Sequence, residues 1–178
     1  MTQKTFRDRR HAGQALTGKL VEFQDMQDAV VLALPRGGVP VGYEVALALH
    51  LPLDVFIVRK LGVPGQEELG MGAIASGGSQ IINPQIVKWS GISSQQLDEV
   101  IAKESAELQR REELYRIGRA PVDLGQKLIL LVDDGLATGS TMMAAIRALR
   151  QSRPEKLSWL FLSRQSTCVV NSLITLTE

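Results

Sequence analysis

Cysteine is all but missing: Cys168 is the only one in 178 residues, so no disulfide can close within the chain and no cysteine cluster can hold zinc. Such usage fits a reducing compartment, and the expected location is cytoplasmic. Histidine is nearly as scarce, with His11 and His50 alone, and aromatic residues make up 4%. No apolar run approaches the roughly 18 residues that span a bilayer, and the amino-terminal "MTQKTFRDRRHAG" has no apolar stretch of the kind a secretory signal needs. A formal net charge of +1 gives no strong nucleic-acid signal and no membrane-surface signal.

What remains is ordinary globular material. Apolar residues reach 44% and charged residues 22%, over the length of one domain. Ala29 to Leu34 is a continuous apolar run stopped by "PRGG", as in a strand buried on both faces. Val39 to Leu49 reads as a helix with Val41, Val45, Ala48 and Leu49 inward. "LDVFIVR", Leu53 to Arg59, reads as a second strand, which completes a βαβ unit. "GAIASGGSQIIN" reads as a hairpin turning at Gly77-Gly78.

The strongest helical pattern starts at Ser93, with Gln96 at capping-box spacing, and ends before Gly118. Leu97, Val100, Ile101, Leu108 and Tyr115 form its apolar stripe. Glu99–Lys103, Glu107–Arg111 and Glu112–Arg116 are spaced as i,i+4 pairs on its wet side. Leu128 to Val132 is a further buried strand. A helix follows from Gly139 with Met142, Ile146 and Leu149 inward, and Leu157 to Leu162 reads as one more strand. Strands alternating with helices predict an α/β fold with a mainly parallel sheet flanked by helices.

The chemistry concentrates in "LILLVDDGLATGST". In open α/β sheets ligands bind beyond the carboxyl ends of the strands, and Asp133 and Asp134 stand at such an end. Gly135 and Gly139 let the backbone turn tightly, and Thr138, Ser140 and Thr141 place hydroxyls at a helix start, where free N–H groups favour phosphate. Ionised carboxylates only accept hydrogen bonds, so a polyol attached to that phosphate suits the pair. The loop lacks the lysine of a P-loop. Gly70, Gly72 and Ala75 in "GMGAIA" fit a dinucleotide pattern only loosely, because no strand precedes and no helix follows them. A turn or close backbone approach is the plainer reading there. His50, ending a helix, reads as a cap, and His11 as a surface residue.

Residue for residue, this segment resembles the phosphoribosyl-pyrophosphate motif of type I phosphoribosyltransferases: an aliphatic strand, two acids, three small or apolar residues, then Thr-Gly-x-Thr. Similarity extends upstream through "FRDRRHAG", "LPRGG", "VRK" and the long helix, over roughly Phe6 to Leu149. The resemblance implies that Asp133 and Asp134 bind the ribose hydroxyls as catalytic carboxylates. Ala137, Thr138, Gly139, Ser140 and Thr141 would wrap the 5′-phosphate, and Arg36, Gly37 and Gly38 would form a pyrophosphate loop. Arg59 and Lys60 would reach the pyrophosphate as catalytic cations. Plainer alternatives stay open: "PRGG" is an ordinary turn sequence, and strand ends often carry solvated basic residues.

Mg²⁺ is the implied cofactor, riding on ligand oxygens and keeping most of its waters, so no protein metal ligands are expected. The implied partners are phosphoribosyl pyrophosphate and a nucleobase-like acceptor, and the resemblance leaves room for a homodimer. Ala137 stands where 6-oxopurine enzymes carry a proton-transferring aspartate, so the loop is more similar to the adenine or orotate enzymes. The amino-terminal segment and the long helix are the candidates for an acceptor hood. A binding regulator that keeps the site without turnover, and an unrelated α/β phosphate binder, are the competing readings.

Residues 1–178 are expected to form a single phosphoribosyltransferase-like domain, with 157–178 atypical. Where the resemblance leads one to expect a strand like "VVAVPVA", the chain reads "LSWLFLSRQSTCVV". With suitable codons, a change of reading frame across "SWLFLSR" would yield "LVVPVAP", so a truncated or frame-shifted tail is the expectation there.

Overall fold

The apolar run at 29–34 becomes a central strand because both of its faces are sealed: β1 (Ala29–Ala33) is buried at every position. Its neighbour β6 (Leu128–Asp133) is buried up to its last residue. The computed structural model describes residues 6–135, 139–152, 154–161 and 169–175. The chain divides into two units, one of residues 1–56, 120–139 and 152–178, the other of 57–119 and 140–151.

In the first unit, β2 (Leu53–Val55), β1, β6, β7 (Lys156–Phe161) and β8 (Val169–Thr175) form one sheet in that order. All neighbours run parallel except β7 and β8. The expected α/β class with a mainly parallel sheet is therefore what forms. Helix α2 (Gly38–Leu49) covers one sheet face with Val41, Val45 and Leu49, spaced i, i+4 and i+8, against Val31, Leu130 and Val132. Ala46 is buried there and Ala48 is exposed, the reverse of the expectation for Ala48. Full burial of a leucine such as Leu130 contributes about 1.5–3 kcal/mol. His50 caps α2 in the left-handed region and its Nδ1 lies 2.8 Å from Asp25 Oδ1.

Helix α1 (Arg9–Thr17) grows from the arginine-rich segment. Asp8 caps it by accepting the His11 N–H at 2.8 Å. Leu16 and Leu20 join the core. Gly13 lets α1 lie close on α2, since a Cβ there would fall 2.8 Å from the Val41 carbonyl oxygen.

The second unit holds the antiparallel sheet β3 (Val58–Val63), β4 (Gln66–Ala75) and β5 (Ser79–Ile82), with α3 (Pro84–Trp89), α4 (Ser94–Arg116) and α5 (Ser140–Gln151). The strand expected over Leu53–Arg59 is thus two strands in two sheets. Phe56 N–H still donates to Ala33 on the parallel side, whereas Ile57 N–H donates to the Ser76 hydroxyl at 2.9 Å. The β4–β5 hairpin turns at Gly77 and Gly78, both with positive φ. Gly72 is the expected close approach, because a Cβ there would meet the Ile81 carbonyl oxygen at 2.4 Å.

Helix α4 has its capping box and lays Leu97, Val100, Ile101, Leu108 and Tyr115 on the hairpin residues Leu61, Met71 and Ile74. Two expected pairs form, Glu107–Arg111 and Glu112–Arg116, while Glu99 accepts from Gln95. Ser93→Ala removes the cap bond to the Gln96 N–H; a loss of about 1 kcal/mol is expected. For a chain of this length thermal melting should register it as a drop of about 2–4 °C. No helix among the described residues is long and apolar enough to cross a membrane.

Candidate functional site

Parallel pairing brings the carboxyl ends of β1 and β6 side by side, with Ala33 opposite Val132. The Leu34 N–H donates to the Val132 carbonyl at 2.9 Å, so the loops leaving the two strands start at one level. Pro35, Arg36 and Gly37 lead into α2, with a cis Pro35–Arg36 peptide and Arg36 exposed. Asp133 and Asp134 leave the neighbouring strand.

The contact between these loops leaves no room for side chains. A Cβ on Gly38 would lie 2.6 Å from the Val132 carbonyl oxygen and 3.1 Å from Asp133 Cα. A Cβ on Gly37 would lie 2.0 Å from Asp134 Oδ2. Five expected site residues of the first unit, Arg36, Gly37, Gly38, Asp133 and Asp134, are thereby brought to one edge of the sheet.

Asp133 is half-buried, and burial pushes its carboxyl up to about 6; the negative charge of Asp134 adds to this, against the Asp134 N–H that Asp133 accepts at 2.8 Å. Asp134 is met by Arg9, whose Nε and Nη2 lie 2.8 and 2.7 Å from its Oδ2. An open cleft of about 720 Å³ lies beside it, lined by Phe6, Arg7, Arg9, Arg10, Pro40 and Asp134 among others. Its charges are largely matched: Arg10 reaches Glu44 at 3.6 Å and lies over the Tyr43 ring, and Asp8 caps α1.

Sequence reasoning passed over Arg9 and Phe6 as site residues. The available signal was Asp8 in a capping position ahead of Ala12, Leu16 and Leu20, which marks a docked helix rather than a solvated start.

In the second unit, Lys60, Ser140 and Thr141 line one cavity of about 570 Å³ together with Arg147, Met143 and Ile82. Lys60 lies on β3 and its ammonium donates to the Glu68 carbonyl. Its neighbour Arg59 is committed to Glu104 on α4, with Nε 2.8 Å from Oε2 and a second contact from Nη2. Both cations sit on the antiparallel hairpin rather than at the end of a parallel strand. Gly139, just before α5, has φ 72°, a left-handed value that glycine adopts without strain. Ala137 and Thr138 lie outside the described residues, as do Cys168 and much of the atypical tail. Among the described residues no three His, Cys, Asp or Glu side chains gather as a metal site.

Residues 9–172 match the family described as phosphoribosyl transferase domain. Two curated proteins from two strains of Mycobacterium tuberculosis, whose names assign them provisionally to the phosphoribosyl transferases, are 44% identical to the chain over 154 residues. The match takes in 86% of the chain and 34% of each relative, so the chain spans about a third of their length. The crystal structure of TT1426 from Thermus thermophilus is 39% identical, with a TM-score of 0.74 over 88% of this chain and 74% of that one. A purine phosphoribosyltransferase from Pyrococcus horikoshii shares the fold at 20% identity, with a TM-score of 0.50 over 85% of this chain and 70% of that one.

Proposed function

The chain belongs to the phosphoribosyl transferase domain family, and on that premise we propose that residues 1–178 act as one phosphoribosyl-transferring domain. The reaction is transfer of ribose 5-phosphate from phosphoribosyl pyrophosphate to a ring nitrogen of a base, with pyrophosphate released. The supporting observation is the paired carboxylate at the end of β6, set against the two bare glycines that open α2. The reaction needs no covalent protein nucleophile.

Breaking the bond from C1′ to pyrophosphate builds positive charge on the sugar and negative charge on the leaving group. Asp133 and Asp134 would accept the ribose hydroxyls and lie on the side of the developing positive charge. Ser140 and Thr141 would receive the 5′-phosphate, and the loop at Arg36 to Gly38 and Lys60 would meet the pyrophosphate. Such a site works by positioning and fixed opposite charge. Mg²⁺, when bound, would neutralise the pyrophosphate while keeping most of its waters, so no protein side chain is asked to ligate it. The acceptor would enter the cleft beside Asp134, where Phe6 offers an aromatic surface. With alanine at 137, proton transfer to or from the acceptor is left to other groups.

One observation favours a second reading, a ligand-binding regulator without turnover. Arg59 is tied to Glu104, which leaves one cation fewer for the leaving group. With either reading we propose a cytoplasmic location, in keeping with the single cysteine. The experiment is thermal melting with phosphoribosyl pyrophosphate and Mg²⁺, followed by pyrophosphate release across a panel of nucleobases. At a hundredfold excess over Kd the native state should gain about 2.7 kcal/mol. Release with one base supports transfer, and a melting shift without release supports the regulator. No shift at millimolar ligand rejects both.

A further inference from the structure

Asp134 meets both Arg9 and Gly37 inside the first unit. Arg9 places Nε and Nη2 on a single carboxylate oxygen, Oδ2, at 2.8 and 2.7 Å. The bare Cα of Gly37 also faces it: a Cβ there would fall within 2.0 to 2.4 Å of Oδ2, Cγ and Oδ1. The carboxylate occupies the space a side chain at position 37 would need, with the Arg9 fork on its Oδ2.

Two considerations decide what the ion pair does. With Arg9 59% and Asp134 29% exposed, it contributes about 0–1 kcal/mol to folding, so stability is a weak account of it. Acceptor capacity is the stronger guide. A carboxylate offers about four lone-pair positions, and both Arg9 contacts fall on Oδ2. Arg9 therefore does not compete for Oδ1. Of the other charges nearby, Arg10 reaches Glu44 and Asp8 accepts the His11 N–H, while the Asp133 carboxylate lies beside Asp134.

We propose that Arg9 is a positioning residue for the sugar-binding carboxylate: it pins Asp134 against Gly37 through Oδ2 and so presents Oδ1 to a ribose hydroxyl. The inference rests on the phosphoribosyl reading and adds to it a residue 125 positions away in sequence. Arg9 does not touch the reacting atoms; it acts through Asp134.

The test compares wild type, Arg9→Met and Arg9→Lys by calorimetric titration with two probes, phosphoribosyl pyrophosphate with Mg²⁺ and inorganic pyrophosphate with Mg²⁺. Only the first probe carries the sugar. Arg9→Met should weaken the first by about tenfold or more and leave the second unchanged, since misplacing one group by about 1 Å costs up to about a hundredfold. Arg9→Lys, with one ammonium in place of the fork, should recover part of the loss. Equal weakening of both probes, or of neither, overturns the proposal. If wild type binds neither probe, the phosphoribosyl reading itself fails. The pin is then judged by a crystal structure of Arg9→Met, in which the Asp134 carboxylate should leave Gly37; an unmoved carboxylate overturns it.

Discussion

Asp133→Asn is expected to raise the melting temperature of the ligand-free protein at pH 7.5 and to cut phosphoribosyl transfer by about 10²–10³-fold. The two effects have one origin. Burial and the neighbouring Asp134 push Asp133 up to about 6, from an ordinary value of 3.8. The folded protein therefore holds this proton more tightly than the unfolded chain. Its contribution to stability is fully present below 3.8 and is lost as the pH rises through 6. At pH 7.5 the fold carries an ionised, half-buried carboxylate beside a second one, and asparagine removes that charge. It keeps an oxygen to accept the Asp134 N–H, so the turn survives. Transfer suffers because the charge that met the sugar is gone. Melting wild type and variant between pH 4 and 8 checks the first half: the gap should be widest above pH 6 and close toward pH 4. A variant that melts lower than wild type at pH 7.5 would contradict this account of the site.

The two glycines that open α2 should fail differently when replaced. Gly38→Ala drives its Cβ into the Val132 carbonyl oxygen and Asp133 Cα, both main-chain atoms of a central strand. No rotamer relieves that clash, and a loss of about 1–3 kcal/mol or more is expected. For Gly37→Ala the three nearest atoms all belong to the Asp134 carboxylate, a side chain that can swing away. Its melting temperature should stay near wild type, while binding of phosphoribosyl pyrophosphate falls by about a hundredfold as the displaced acid loses its seat. Paired melting and titration of the two variants separates the outcomes. Equal loss of stability in both would mean that Asp134 cannot move.

The parts of this fold legible from sequence are those whose cause is local. β1 and β6 show as unbroken apolar runs because they are buried on both faces, and α4 shows through its cap and its stripe. The break at Phe56–Ile57 did not show, since both residues are buried and the apolar pattern runs on across them. What separates the strands is pairing with Ala33 on one side and Ser76 on the other, and no short window contains those partners. The same limit governs the site. The order of acids and small residues was readable in "VDDGLATGST", whereas Arg9 is brought to Asp134 only by the docking of α1 on α2. Arg59 likewise looked available until Glu104 met it from a helix 45 residues later.

The Ala33–Val132 pairing has a consequence for anyone altering this protein. It works as a ruler: both loops are measured from the same rung, and one residue along a strand is about 3.3 Å. An insertion or deletion within β1 or β6 would slide Gly37 one rung past Asp134 and turn every following side chain to the other face. Positions 37 and 134 therefore form a single unit of design. Libraries that vary one should hold the strand lengths fixed and vary the other with it.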